Sequence, residues 1–198
     1  MCRLIETIKI SNRTIHHLPY HTRRMHTSRS SLFNCKDFLD LEKIIHLPEW
    51  LTDNVYKCRI IYSQTIEKIE FEPYRKKEIQ TLKLVHDDTI EYKFKYQNRQ
   101  SINTLFELKE NCDDILIVKN GYITDTSYCN IAFNDGRIWL TPTTPLLKGT
   151  MREQLLEQDK IKEKEITLDS LRQFKVFKLM NAMIGFDGPE VEVSNIVK

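Results

Sequence analysis

The chain has 198 residues, 40% of them apolar and 29% charged, with a net charge of +2. That is the composition of an ordinary soluble globular protein with room for one sizeable core or two modest ones. No apolar run reaches the roughly eighteen residues of a membrane-spanning helix, and so even a charge balance makes no general case for nucleic acid.

The charge is unevenly spread. Residues 1–29 hold Arg3, Lys9, Arg13, Arg23, Arg24 and Arg29 against the single acid Glu6, together with four of the six histidines. A transit peptide would be Arg-rich and acid-poor but should form an amphipathic helix. Here Leu4 to Ile10 reads as a strand, with Glu6 and Lys9 showing, and Pro19 interrupts the segment after it. A nucleic-acid arm would interleave aromatics with the basic residues, and only Tyr20 is on offer. An anion site built into the fold fits best. The five cysteines (Cys2, Cys35, Cys58, Cys112, Cys129) are scattered, with no C-x-x-C and no metal-ligand spacing. With no signal peptide, they read as reduced thiols of a cytoplasmic protein, most of them buried as small hydrophobes.

In chain order, the strand at 4–10 comes first. Pro19 to about Phe33 then has helical potential, with Tyr20 and Met25 on one side. Phe38, Leu39, Leu41, Ile44 and Ile45 fit a short amphipathic helix ended near Pro48. Tyr56–Tyr62 and Ile66–Phe71 are strands joined by a turn at Ser63–Thr65. Leu82–Val85 and Ile90–Tyr96 are two more, around the turn His86-Asp87-Asp88. Ile102, Leu105, Phe106 and Leu108 share a helical face of residues 98–111. Ile115–Val118 is strand, and Asn120-Gly121 signals a hairpin into Tyr122–Asp125. Ile131–Phe133 and Ile138–Leu140 make another strand pair, with a Thr/Pro loop after it. Gly149-Thr150 opens a helix. A short strand near Ile161–Ile166 precedes a brief helix capped by Thr167 or Asp169. Val176–Met180 and the alternating Val191, Val193 and Ile196 finish the sheet. The class is α+β, with an N-terminal lobe over 1–88 and a C-terminal lobe over 89–198, and the space between lobes is the default place for a site.

Three local patterns carry chemistry. Lys93 and Lys95 alternate on the predicted strand; taken alone they make a solvated face, but a partly desolvated amine there would be a neutral nucleophile. Asp125 ends a strand beside Thr126, Ser127 and Asn130. It closes a turn in the bland reading; in the functional one it is a buried carboxylate facing a cationic ring nitrogen. Gly149-Thr150-Met151-Arg152 opens a helix after a loop, and its unpaired N–H groups suit a phosphate as well as they suit an ordinary cap. Asn181-Ala182-Met183, ending a predicted strand, could complete the same anion cup.

In this order the patterns resemble the class IV aminotransferases, the group of branched-chain and D-amino-acid aminotransferases and aminodeoxychorismate lyase. The resemblance spans nearly the whole chain. It begins with Glu6-Thr7-Ile8 and His21-x-x-Arg24-Met25-x-x-Ser28, whose arginine in the family contacts the cofactor phosphate. It continues through Lys95-x-x-Asn98-Arg99, which places the family's Schiff-base lysine on Lys95 rather than Lys93. The family's acid on the pyridine nitrogen falls on Asp125, ahead of Ser127 and Asn130, and its phosphate-binding helix start on Gly149, Thr150 and Met151. Asn181 and Ala182 look most like the lyase branch. The departures are an aspartate where glutamate is usual, no leading strand hairpin, and no glycines after the Arg59 strand.

The resemblance implies two small lobes with the site between them, pyridoxal 5′-phosphate (PLP) as cofactor, a homodimer, a small-molecule substrate, and no metal or membrane partner. Its leading implication is a lyase giving 4-aminobenzoate and pyruvate from 4-amino-4-deoxychorismate. Transamination of a small branched-chain or D-amino acid uses the same residues. A non-enzymatic anion-binding module, resting on the basic first 29 residues, is the reading from another class.

Overall fold

The computed structural model describes residues 2–198 as an α+β chain of two compact units. The first runs up to Lys76 and takes back Phe94–Asn98; the second comprises Lys77–Lys93 and Arg99–Lys198. No helix among the described residues is long and apolar enough to cross a membrane.

The first unit contains β1 (Leu4–Ser11), β2 (Thr14–Ile15), α1 (Leu18–Phe33), α2 (Leu41–Ile44), β3 (Tyr56–Tyr62) and β4 (Ile66–Pro73). Its sheet has the order β2-β1-β3-β4, antiparallel throughout. Side chains alternate on a strand, so Leu4, Glu6, Ile8 and Ile10 share one face of β1, and all four are fully buried. Glu6 therefore does not show at the surface, as the linear pattern implies; it sits in the core row, opposite Ile60 of β3. Pro19 in the first turn of α1 suits the helix start, and Asn34 ends it in a left-handed conformation with φ 56°. The inward face of α1 is His21, Arg24, Met25 and Ser28, spaced as successive turns require, rather than Tyr20 with Met25. The helix predicted over 38–45 shrinks to one turn, and Phe38 is 69% exposed, its ring stacked on His26.

The strand predicted over 90–96 does not form. Instead residues 95–97 close an open edge of β1. β2 reaches only Ile10 and Ser11 on that edge, so the other end would present unpaired backbone groups. There Ile5 N–H donates to Lys95 O at 2.9 Å and Gln97 N–H to Arg3 O at 2.9 Å, flanking a Leu4–Tyr96 bridge. For this reason the compact units do not meet at a single boundary near residue 88. It also removes the shared strand face proposed for the two lysines: Lys93 is exposed in the second unit and Lys95 half-buried in the first.

The second unit contains β5 (Leu82–His86), α3 (Gln100–Phe106), β6 (Asp114–Lys119), β7 (Tyr122–Thr126), β8 (Asn130–Asn134), β9 (Trp139–Pro142), α4 (Thr150–Glu157), β10 (Lys162–Lys164), β11 (Val176–Met180), β12 (Val191–Glu192) and β13 (Ile196–Val197). One sheet has the order β10-β9-β8-β11-β12 and the other β13-β5-β6-β7. Ile115, Leu116, Ile117 and Val118 are all fully buried, as a continuous apolar run requires. The hairpin after β6 turns through Asn120 (φ 51°) and Gly121 (φ 79°), the paired positive angles that favour Asn-Gly. On β8, Ile131 and Phe133 enter the larger core while Ala132 faces Met151 and Leu155 of α4.

Three further expectations fail here for local reasons. α3 tightens into a 3₁₀ turn over Glu107–Lys109, which rotates Leu108 out to 53% exposure. Val193 lies in another such turn, so Val191 and Ile196 end in different sheets. The brief helix Asp169–Gln173 has Leu168 as its cap, although the Thr167 hydroxyl still accepts from Ser170 N–H at 3.3 Å.

Candidate active site

In the first unit, Glu6 gathers two residues of α1. Its Oε1 accepts from Arg24 Nε at 2.9 Å, and its Oε2 from Arg24 Nη2 and His21 Nδ1, both at 2.6 Å. Burial alone would raise the Glu6 pKa. The Arg24 charge and the bonds from His21 and Arg24 outweigh it and hold the carboxyl down at about 2. Burial lowers the pKa of His21, the bond to Glu6 opposes this, and the charges of Arg24 and Lys95 add to the lowering. The neutral imidazole therefore carries its proton on Nδ1, and Nε2 is buried without a partner. Ser28 and Tyr62 extend the cluster, the Tyr62 hydroxyl being pushed up mainly by burial and the Glu6 charge. Lys95 lies within electrostatic reach of His21 and is held by its backbone to Ile5.

In the second unit, Asp125 is buried near the end of β7. Its Oδ1 accepts from Asn130 Nδ2 at 2.7 Å and its Oδ2 from Leu147 N–H at 2.9 Å. Asn130 Nδ2 also donates to Leu147 O at 2.8 Å, so one carboxamide ties the acid to the loop before α4. Burial raises the Asp125 pKa to about 6; the Leu147 and Asn130 bonds and the Arg152 charge oppose it without cancelling it. No salt bridge to Asp125 exists among the described residues.

Gly149 precedes α4 with φ −72°, an angle open to any residue. Its requirement is closeness: a Cβ there would lie 2.1 Å from Asn130 Oδ1. Gly149→Ala should therefore displace the carboxamide that holds Asp125 and cost about 1–3 kcal/mol. Urea titration checks this, and a stability equal to that of the unmodified protein would refute the packing argument. The first helical bond runs from Glu153 N–H to Gly149 O. The N–H groups of Thr150, Met151 and Arg152 lie ahead of it, and Gly149 supplies no side-chain cap. Thr150 is 2% exposed, and the Met151 side chain belongs to the core. Arg152 donates through Nη2 to Pro142 O at 2.8 Å and Glu163 Oε1 at 2.6 Å.

Ser127 N–H donates weakly to the buried Asp114, its carbonyl accepts from Arg99 at 2.5 Å, and its Oγ is buried without a partner. Arg99 also lies over the Tyr128 ring, 3.8 Å from its centroid. The Asn181 carboxamide is engaged within the chain. Its Oδ1 accepts from Met183 and Ile184 N–H at 2.9 and 3.1 Å, and its Nδ2 donates to Cys129 Sγ at 3.1 Å. Ala182 beside it is half-buried.

Sequence reasoning missed the burial of Glu6, Asp114 and the role of Arg29. Arg29 is 1% exposed and staples the end of α1 through Nε to Gln64 O at 2.9 Å and Nη1 to Asp37 O at 3.1 Å. The signal for Glu6 was available: an acid in the alternating row of Leu4, Ile8 and Ile10 needs a buried partner.

The family model of amino-transferase class IV matches residues 3–186. A protein of Haemophilus influenzae, itself uncharacterised, is 38% identical over 187 residues, which are 93% of this chain and 100% of that one. A Haemophilus somnus 129PT crystal structure, provisionally a 4-amino-4-deoxychorismate lyase, is 36% identical with a TM-score of 0.88. The match covers 94% of this chain and 98% of that one. The branched-chain amino acid aminotransferase of Escherichia coli shares the fold at 13% identity and a TM-score of 0.74, over 96% of this chain and 75% of its own. With a family match over most of the chain and an α+β fold held in common, this protein belongs to the class IV aminotransferases, a family of PLP enzymes.

Proposed function

We propose that this protein is a PLP-dependent lyase that converts 4-amino-4-deoxychorismate to 4-aminobenzoate and pyruvate, acting on this small-molecule substrate as a homodimer. The observation that carries the choice of reaction is the likeness to the Haemophilus somnus lyase assignment across nearly the full length of both chains. The cofactor is supported by the residues themselves. Asp125 is a buried acid that two neutral donors leave with a raised pKa, so a cationic ring nitrogen is the partner it lacks. The uncapped N–H groups of Thr150 and Met151 suit a phosphate, as does the Arg24 guanidinium.

When bound, PLP supplies a protonated ring that draws electrons from the substrate carbon bearing the amine. Lys95 Nζ would hold the cofactor and, when free, would serve as the base for the proton on that carbon. The same proton is returned to the enolpyruvyl group as it leaves as pyruvate, and the ring left behind is aromatic. Asp125 would supply the negative charge for the ring nitrogen, Asn130 keeps the acid on the α4 loop, and Ser127 Oγ is a buried hydroxyl close to it along the chain.

The test is to mix PLP-loaded protein with 4-amino-4-deoxychorismate and measure both products. Equal amounts of 4-aminobenzoate and pyruvate are expected. Neither product from visibly PLP-loaded protein would overturn the lyase assignment in favour of transamination. Protein that stays colourless with PLP would overturn the cofactor assignment and return attention to anion binding alone.

A further inference from the structure

We infer that Glu6 is a positioning residue that aims the Arg24 guanidinium at the cofactor phosphate; this rests on Arg24 being a phosphate ligand, as proposed above. A carboxylate is an expensive occupant of this row. Leu4, Ile8 and Ile10 show that β1 can fill its inner face with aliphatic side chains, and all of them are fully buried beside Glu6. Apolar residues at both positions 6 and 24 would avoid the desolvation of the two charges. What the carboxylate adds is geometry. Its two oxygens meet Nε and Nη2 of Arg24 as a fork, at 2.9 and 2.6 Å, which fixes the plane as well as the position of the guanidinium. The Nη1 edge is thereby turned away from β1. His21, one turn earlier on α1, donates to Oε2 at 2.6 Å and locks the carboxylate against rotation. The arginine side chain is 12% exposed while those of both its partners are 0% exposed, so the fork is made in the interior.

The neighbouring residue strengthens the inference. Ile5 N–H holds Lys95 O at 2.9 Å, so consecutive residues of β1 fix the backbone of the proposed cofactor lysine and the side chain of the proposed phosphate arginine. A shift at Glu6 would move the arginine relative to a lysine whose backbone stays in place.

The experiment compares the affinity of cofactor-free protein for PLP and for pyridoxal, which lacks the phosphate, by absorbance titration. Glu6→Asp keeps the charge that compensates Arg24 but withdraws the fork by one methylene. Glu6→Gln keeps the length and loses the charge. In either variant PLP affinity is expected to fall on the order of tenfold, as when outer partners of a ligand are removed, with pyridoxal affinity unchanged. Thermal denaturation reports folding, and Glu6→Asp decides the matter if Glu6→Gln does not fold. A purely structural Glu6 would leave the PLP-to-pyridoxal ratio within twofold of the unmodified protein, which would overturn the inference. Arg24→Gln separates the two claims. If it leaves the ratio unchanged, the phosphate assignment of Arg24 fails; if it lowers the ratio and the Glu6 variants do not, only the positioning role fails.

Discussion

Lys95→Ala protein is expected to form no 4-aminobenzoate and to hold no PLP that borohydride can fix, while Lys93→Ala remains near full activity. The loss would remove both the proposed covalent hold on the cofactor and the proposed base, and a general base by itself contributes about 10²–10⁴-fold. The two lysines are two residues apart but differ in every structural respect. Lys93 is exposed in the second unit; Lys95 is half-buried in the first, in a segment hydrogen-bonded to β1 on both sides. Only Lys95 lies near the Glu6, His21 and Arg24 cluster, where its charge contributes to the lowered pKa of His21. The measurement is product formation together with the visible absorbance of the PLP-treated protein. Activity surviving in Lys95→Ala and vanishing in Lys93→Ala would reverse the assignment.

Much of the fold was legible because its signals were local. The Asn120-Gly121 hairpin, the apolar run Ile115–Val118 and the Gly149 helix start each depend on a few adjacent residues, and each formed as read. What failed depended on distant partners. Tyr92 to Tyr96 has the alternation of a strand, yet no second strand lies beside it. Residues 95–97 instead meet the exposed end of β1, more than eighty residues earlier in the chain. Family spacing singles out Lys95 over Lys93 without any strand, whereas the parity argument that put both lysines on one face needed a strand that is absent.

The candidate site divides in the same way. The His21-x-x-Arg24-Met25-x-x-Ser28 pattern is a family signature in sequence, and the structure gives its physical reason as one face of α1 turned onto Glu6 and the core. Glu6 itself looked like an exposed charge in a mostly apolar strand, because its partners lie on a helix whose packing a linear pattern does not contain. The linear pattern of Asn181-Ala182-Met183 did not show that the Asn181 carboxamide gives its oxygen to the turn after it, a local competition that Asn side chains enter readily.

Asp125→Asn should remove, in a defined window, a contribution that lowers the stability of the cofactor-free protein as pH rises. Folded Asp125 has a pKa of about 6 against its ordinary 3.8, raised chiefly by burial. Between these values the folded chain keeps a proton that the unfolded chain has released, so stability falls as pH rises. The Glu6 contribution has the opposite sign, being fully present above 4.5 and lost as pH falls toward about 2. His16, His17 and His21, whose pKa values burial lowers, and Asp114, whose carboxyl pKa burial raises, also contribute in this window, so it is the difference from Asp125→Asn that isolates Asp125. From about pH 4.5 to 7 the unmodified protein should lose about 2 kcal/mol relative to Asp125→Asn in urea denaturation. Adding PLP should flatten that slope, since a cationic ring nitrogen lets Asp125 ionise without penalty. The variant has its own cost. Asp125 accepts from both Asn130 and Leu147 N–H, so an amide at this position sets its NH₂ against one donor, worth about 1–3 kcal/mol at any pH. Turnover should fall by about 10²–10³-fold, the loss expected when an aimed charge is removed from a reacting centre. Parallel pH profiles for the two proteins would mean that Asp125 does not titrate in this range, and the argument that it awaits a cationic partner would fall with it.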